Sequence, residues 1–174
     1  LGMYGADLAA ATCFFEKPWS RPVASLSDRD KGWLLSEVAF CLRHLGRVAE
    51  AQEPSEASLT DALKREDWTE AAKRAASVSE GFLLMGRVAE AIEAATRSIE
   101  FADRGSDPSW ASANRAQLAE ALDRGGDSTS AQRLYAEAEG IQAANYPDYP
   151  LLFWWISGFR CCSSILRAVE ACCW

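Results

Sequence analysis

The hexapeptide Gly46-Arg47-Val48-Ala49-Glu50-Ala51 recurs letter for letter as Gly86-Arg87-Val88-Ala89-Glu90-Ala91, an offset of 40 residues. A weaker copy, Gly126-Asp127-Ser128-Thr129-Ser130-Ala131, stands another 40 residues on. A fourth echo, Leu166-Arg167-Ala168-Val169-Glu170-Ala171, has lost its glycine. A fixed period of this size constrains the fold strongly. Each unit is too small to bury its own apolar face, so the chain must stack unit on unit, with each touching only its neighbours.

The units read as helical hairpins. Ala and Glu are frequent and β-branched runs are scarce, which favours helix. In the second unit Ala75, Val78, Phe82 and Met85 follow one helical face, and Ala91, Ala95, Ile99 and Ala102 follow another. Gly86 between them suits a left-handed helix terminus, and Gly105 suits the stop of the second helix. Asp107-Pro108 supplies an N-cap and a first-turn proline for the third unit. The expected layout is a partial helix at 6–15, units at 28–64, 68–104 and 108–140, and a terminal helix at 150–171. The third unit is expected to stop near Gly140. Pro54 lies well past the first turn of its helix and should kink it or delay its start. No β-sheet is expected anywhere. Trp33, Trp68 and Trp110, each near the start of a hairpin, read as packing residues between hairpins.

Charge and composition exclude several functions. A net charge of −7 over 174 residues, with no basic stripe, argues against nucleic acid and against an anionic membrane surface. The longest apolar run, Leu151 to Ile156, falls far short of the roughly 20 residues that span a bilayer. No secretory signal is recognisable, although an opening Leu1 reads as the start of a piece of something longer. Cys13, Cys41, Cys161, Cys162, Cys172 and Cys173 show neither a C-x-x-C spacing nor a disulfide framework, so they read as reduced thiols in a cytoplasm. The adjacent pairs near the C-terminus make poor zinc chelates, because neighbouring helix positions point about 100° apart. The single histidine, His44, lacks partners at ligand or catalytic spacing. Phosphate loop, nucleophile elbow and H-E-x-x-H motif are all missing. The expectation is a chain that is not an enzyme and needs no metal or cofactor.

The pattern resembles the tetratricopeptide repeat. That family places small residues where paired helices touch, a glycine at the turn between them and an alanine five residues later. Here the small residues are Ala39, Ser79 and Ala119, the glycines Gly46, Gly86 and Gly126, and the alanines Ala51, Ala91 and Ala131. The match covers about residues 33 to 140. The period departs from the usual unit of about 34 residues, as in long-period bacterial arrays of this kind. The resemblance implies an all-α, right-handed superhelical stack of antiparallel helix hairpins, an α-solenoid.

It also implies a function: a protein–protein interaction scaffold holding a peptide or partner protein on the concave face made by the first helix of each hairpin. Carried over position by position, that face presents Trp33, Ser36, Phe40, Lys73, Glu80, Gln117, Glu120 and Arg124. The acids Glu80 and Glu120 argue against capture of a C-terminal carboxylate and favour a partner with Lys or Arg. An ordinary solvated face is the plainer alternative for these positions. The apolar patch Leu151–Ile156 should cover the preceding hairpin or seek another chain in self-association. The competing function is a regulatory or sensor segment of a larger multidomain NTPase or signalling enzyme.

Overall fold

A computed structural model describes residues 4–146. Seven α-helices among them pack in sequence, each against the next. A short α1 (Tyr4–Ala11) is followed by a hairpin of two small strands, β1 (Phe15–Lys17) and β2 (Arg21–Pro22). Three long hairpins then run α2 (Asp28–His44) with α3 (Val48–Lys64), α4 (Trp68–Leu84) with α5 (Val88–Gly105), and α6 (Pro108–Arg124) with α7 (Ser128–Asn145). The chain is an α-solenoid of stacked antiparallel helix hairpins.

The repeated glycines make the turns within hairpins. Gly46, Gly86 and Gly126 all have positive φ. At the second turn Gly86 N donates to Leu83 O at 3.0 Å and Arg87 N to Phe82 O at 2.9 Å, the two bonds of a Schellman motif. Arg47 and Arg87, as N-caps of α3 and α5, offer no side-chain cap. Each instead pairs with the glutamate three residues on, Arg47 with Glu50 at 2.6 Å and Arg87 with Glu90 at 2.9 Å. The repeated arginine and glutamate of the hexapeptide are thus partners across a helix start. Helices α2, α4 and α6 start on capping side chains, with Ser27, Asp67 and Asp107 accepting from backbone amides.

The small residues at hairpin contacts are fully buried and let the backbones close up. Ser79 Oγ donates across the hairpin to Ala91 O at 2.9 Å, so the one polar member of the set is satisfied. Val38, Ala39 and Leu42 form one core cluster, Ala71, Ala75 and Val78 the next, and Ala119, Ala131 and Tyr135 a third, so the core runs along the stack.

Several expectations require correction. A two-stranded sheet is present, because Pro18 and Trp19 (φ 61°) turn the chain back so that Val23 N can bond Phe14 O at 2.9 Å. The first helix ends at Ala11 and is followed by a 3-10 turn over Thr12–Phe14, so Phe15 is extended. Helix α3 starts at Val48 and runs through buried Pro54. The carbonyl that loses its amide donor is that of Glu50, an exposed first-turn residue that water can serve. Gly105 is helical, and Ser106 adopts the left-handed cap at φ 55°. Gly105 faces a different demand: a Cβ there would stand 3.1 Å from the backbone nitrogen of Thr69. Gly140 lies inside α7, which continues to Asn145. The expected helix at 150–171 and the patch Leu151–Ile156 lie outside the described residues.

Candidate functional site

Helices α2, α4 and α6 form a row held in register by two buried polar side chains that stand 40 residues apart. Arg74 Nη1 donates to Gly32 O at 2.6 Å, and Asn114 Nδ2 donates to Ala72 O at 3.3 Å. Donors and acceptors alike are one period apart, so the same bond ties each row helix to the one before it. Asn114 Nδ2 also reaches Ser98 O at 3.0 Å. In the first unit the corresponding position is Leu34, because no earlier row helix exists among the described residues to receive a bond. Glu70 steadies Arg74 at 3.0 Å and takes Lys73 at 2.8 Å. Burial pushes the Glu70 carboxyl up, and the Lys73 and Arg74 cations outweigh it, holding the group below its usual range.

The residues expected on the row face are distributed as follows. Trp33 is 58% exposed and Phe40 40% exposed, unusually open for aromatics on a rigid helix. By contrast Trp68 stacks on Phe101 with centroids 6.2 Å apart, and Trp110 packs against the same core. The expectation that all three tryptophans pack between hairpins therefore fails at Trp33, which occupies the repeat position of Lys73 and Ala113 rather than that of Trp68 or Trp110. Ser36 Oγ bonds its own helix at Trp33 O, 3.0 Å away. Lys73 stands over the Trp110 ring at 5.3 Å. Gln117 Nε2 is buried without a partner. Glu80 faces Arg43 Nη2 at 3.5 Å, and Glu120 accepts from Arg124 at 2.7 Å.

Those two ion pairs revise the electrostatics of the face, since each acid already has a cation. The Arg43 side chain is 6% exposed, and burial pushes its guanidinium pKa down, with Glu80 opposing that. Reversing the charge of Glu80 would set a second cation beside the buried Arg43, so the change would weaken folding as well as any binding.

Two of the hollows beside the row bear on the site. One, of about 370 Å³, lies between α1 and α2 and is lined by Tyr4, Phe14, Trp33 and Phe40 together with the acids Asp7 and Glu37. It gathers Trp33 and Phe40 but takes no wall from α4 or α6, so the eight row-face residues do not share one cavity there. The other, of about 330 Å³, opens on the opposite side of the stack between α3 and α5. Its apolar lining is Leu59, Leu63, Val78 and Phe82, and its rim carries Glu56, Glu93 and Arg97. Sequence reasoning missed this groove altogether. Its only trace in the sequence is a change of residue type between units at matching positions, which has no meaning until the helices are placed.

His44 Nδ1 lies 2.9 Å from Phe40 O, and its ring packs against Tyr4 and Phe40. Cys41 is a buried thiol whose pKa is raised by burial and then by Asp7 and Glu37. Among the described residues no group of three or more His, Cys, Asp or Glu side chains could hold a metal ion, and no helix is long and apolar enough to cross a membrane. The C-terminal cysteine pairs lie outside the described residues.

No protein-family model matches this chain, and neither does any curated protein. Among solved structures it is similar to a variant of a Podosopora anserina protein described as a kinesin light chain with nearly identical TPR-like repeats. The TM-score is 0.61 at 20% identity, with 72% of this chain covered. The match spans 62% of that protein's length. At this identity the likeness bears on the fold, and it places the chain among TPR-like repeat architectures.

Proposed function

We propose that this chain is a protein-interaction scaffold without chemistry of its own, which binds a peptide or partner protein along the face of α2, α4 and α6. TPR-like stacks generally serve protein binding. The observation that carries the reading is the exposure of Trp33 and Phe40 on one rigid helix. Large aromatics left open on a preorganised surface are the residue types that dominate binding hot spots, and rigid helices present them at little ordering cost. Lys73, Glu80, Gln117, Glu120 and Arg124 extend the surface with polar groups that fix orientation, and the acidic balance of the chain favours a partner carrying Lys or Arg. The reading places the protein in the cytoplasm, in keeping with thiols Cys13 and Cys41 that are free.

The test uses side chains whose removal leaves the core intact. Affinity capture followed by mass spectrometry identifies the partner, and Trp33→Ser and Arg124→Glu are then compared with wild type. Each change should cut capture by about tenfold, a loss of ~1.4 kcal/mol, with the thermal melt unchanged. Capture at wild-type level by both variants would rule out this face.

A further inference from the structure

The groove between α3 and α5 has a counterpart one unit later, and the two are built differently. Between α5 and α7 an ion triad bridges the two helices. Arg115 on α6 donates to Asp103 at 3.0 and 3.1 Å and stands 3.7 Å from Glu137. Its side chain is only 17% exposed. Moving back 40 residues turns Asp103 into Leu63, Arg115 into Ala75 and Glu137 into Arg97. Ala75 is fully buried and cannot reach across, and Leu63 gives an apolar wall where the triad has a carboxylate. Arg97 turns along its own helix to lie 5.7 Å from the centre of the Phe101 ring. Substitution at three matched positions thus leaves the earlier unit, with its groove, without the ion bridge that the next unit has.

The rim of the open groove is acidic. Glu56 accepts a bond from Gln52 at 2.9 Å, Glu90 is paired with Arg87, and Glu93 has no basic partner among the described residues. Among the described residues Arg97 is the only cation lining it, and Arg87, already paired with Glu90, lies 4.6 Å from the centre of the Phe82 ring at its edge. A hollow of about 330 Å³ sits at the small end of the range for ligand clefts (~300–1,000 Å³) and suits a few apolar side chains. We propose that this groove is a second docking site, separate from the α2–α4–α6 face, for a short amphipathic helix of a partner protein. Leu, Ile or Phe side chains of that helix enter over Val78 and Phe82, and a flanking Lys or Arg meets Glu56 and Glu93. The apolar floor supplies the affinity, and the unmatched carboxylates select the sign of the partner.

The test selects binders from a phage-displayed library of random dodecamers on the full chain. Enriched sequences are then synthesised and titrated by fluorescence anisotropy against wild type and two variants. Leu63→Asp/Ala75→Arg/Arg97→Glu copies the ion triad into the groove. Glu56→Gln/Glu93→Gln removes the rim charge at exposed positions, where folding is not at stake. Enriched peptides should place apolar residues and a Lys or Arg on one helical face. Their affinity should fall about tenfold or more on introducing the triad and by several-fold on neutralising the rim, and should weaken with added salt. Trp33→Ser and Arg124→Glu should leave it unchanged, which separates this site from the row face. The proposal is overturned if no peptide is enriched, if the enriched peptides lack a basic residue, or if they bind both groove variants as tightly as wild type. Binding seen only after removal of residues 147–174 would also overturn it, since the chain itself would then be the occupant.

Discussion

At Gly86 the structural demand falls on the backbone alone. Its φ is +75°, and nothing lies within 4 Å of where a Cβ would stand, so crowding plays no part. A β-branched residue must be forced into that conformation, and Gly86→Val should cost about 1 kcal/mol or more. The turns between hairpins offer the converse experiment, because Glu66 and Ser106 hold φ values of 54° and 55° without being glycine. Glu66→Gly should relieve strain and raise stability by up to about 1 kcal/mol, less the entropy that glycine adds to the unfolded chain. Urea midpoints report both changes. A Gly86→Val protein as stable as wild type would mean that the turn does not hold the left-handed conformation.

Among the elements, α4 is tied most thoroughly to its neighbours, and its first turn carries a pH-sensitive link. Glu70 holds Arg74, which in turn donates to Gly32 on α2. The folded pKa of Glu70 lies below its ordinary value of 4.5, so the unfolded chain takes up this proton first as the pH falls. The stabilisation is therefore complete at neutral pH and is lost as the pH drops from about 4.5 through the lower folded value. Denaturant stability measured from pH 7 to 3 should fall across that window, and Glu70→Gln should remove part of the slope. An unchanged slope in the variant would show that the link contributes nothing measurable.

Across the whole molecule, stability in a stack is close to a sum of unit and interface contributions. Helices with neighbours on both sides should open last. Amide hydrogen exchange is expected to be slowest in α3, α4 and α5, which have long helices on either side, and progressively faster back through α2 to α1. Uniform protection from α1 to α5 would show instead that the array opens as one unit.

The sequence by itself determined the period, the hairpin, the turn glycines and most helix starts, because these depend on residues within a few positions of one another. An aspartate cap, a left-handed glycine and an apolar stripe act over one or two turns of chain. Only the tertiary structure decided what depends on distant partners. Pro54 is accommodated because the carbonyl it deprives lies at an exposed helix start. The N-terminal loop pairs with itself to form a small sheet. Trp33 and Trp68 both stand near a hairpin start, yet Trp68 is packed against Phe101 and Trp33 stays open, since burial is set by helices far along the chain. Glu80 and Glu120 read as free acids in sequence, and folding gives each a cation. Asp103, Arg115 and Glu137 stand many residues apart and carry no local signal. Stacking alone turns them into an ion bridge between helices, and it brings Leu63, Ala75 and Arg97 together at a groove.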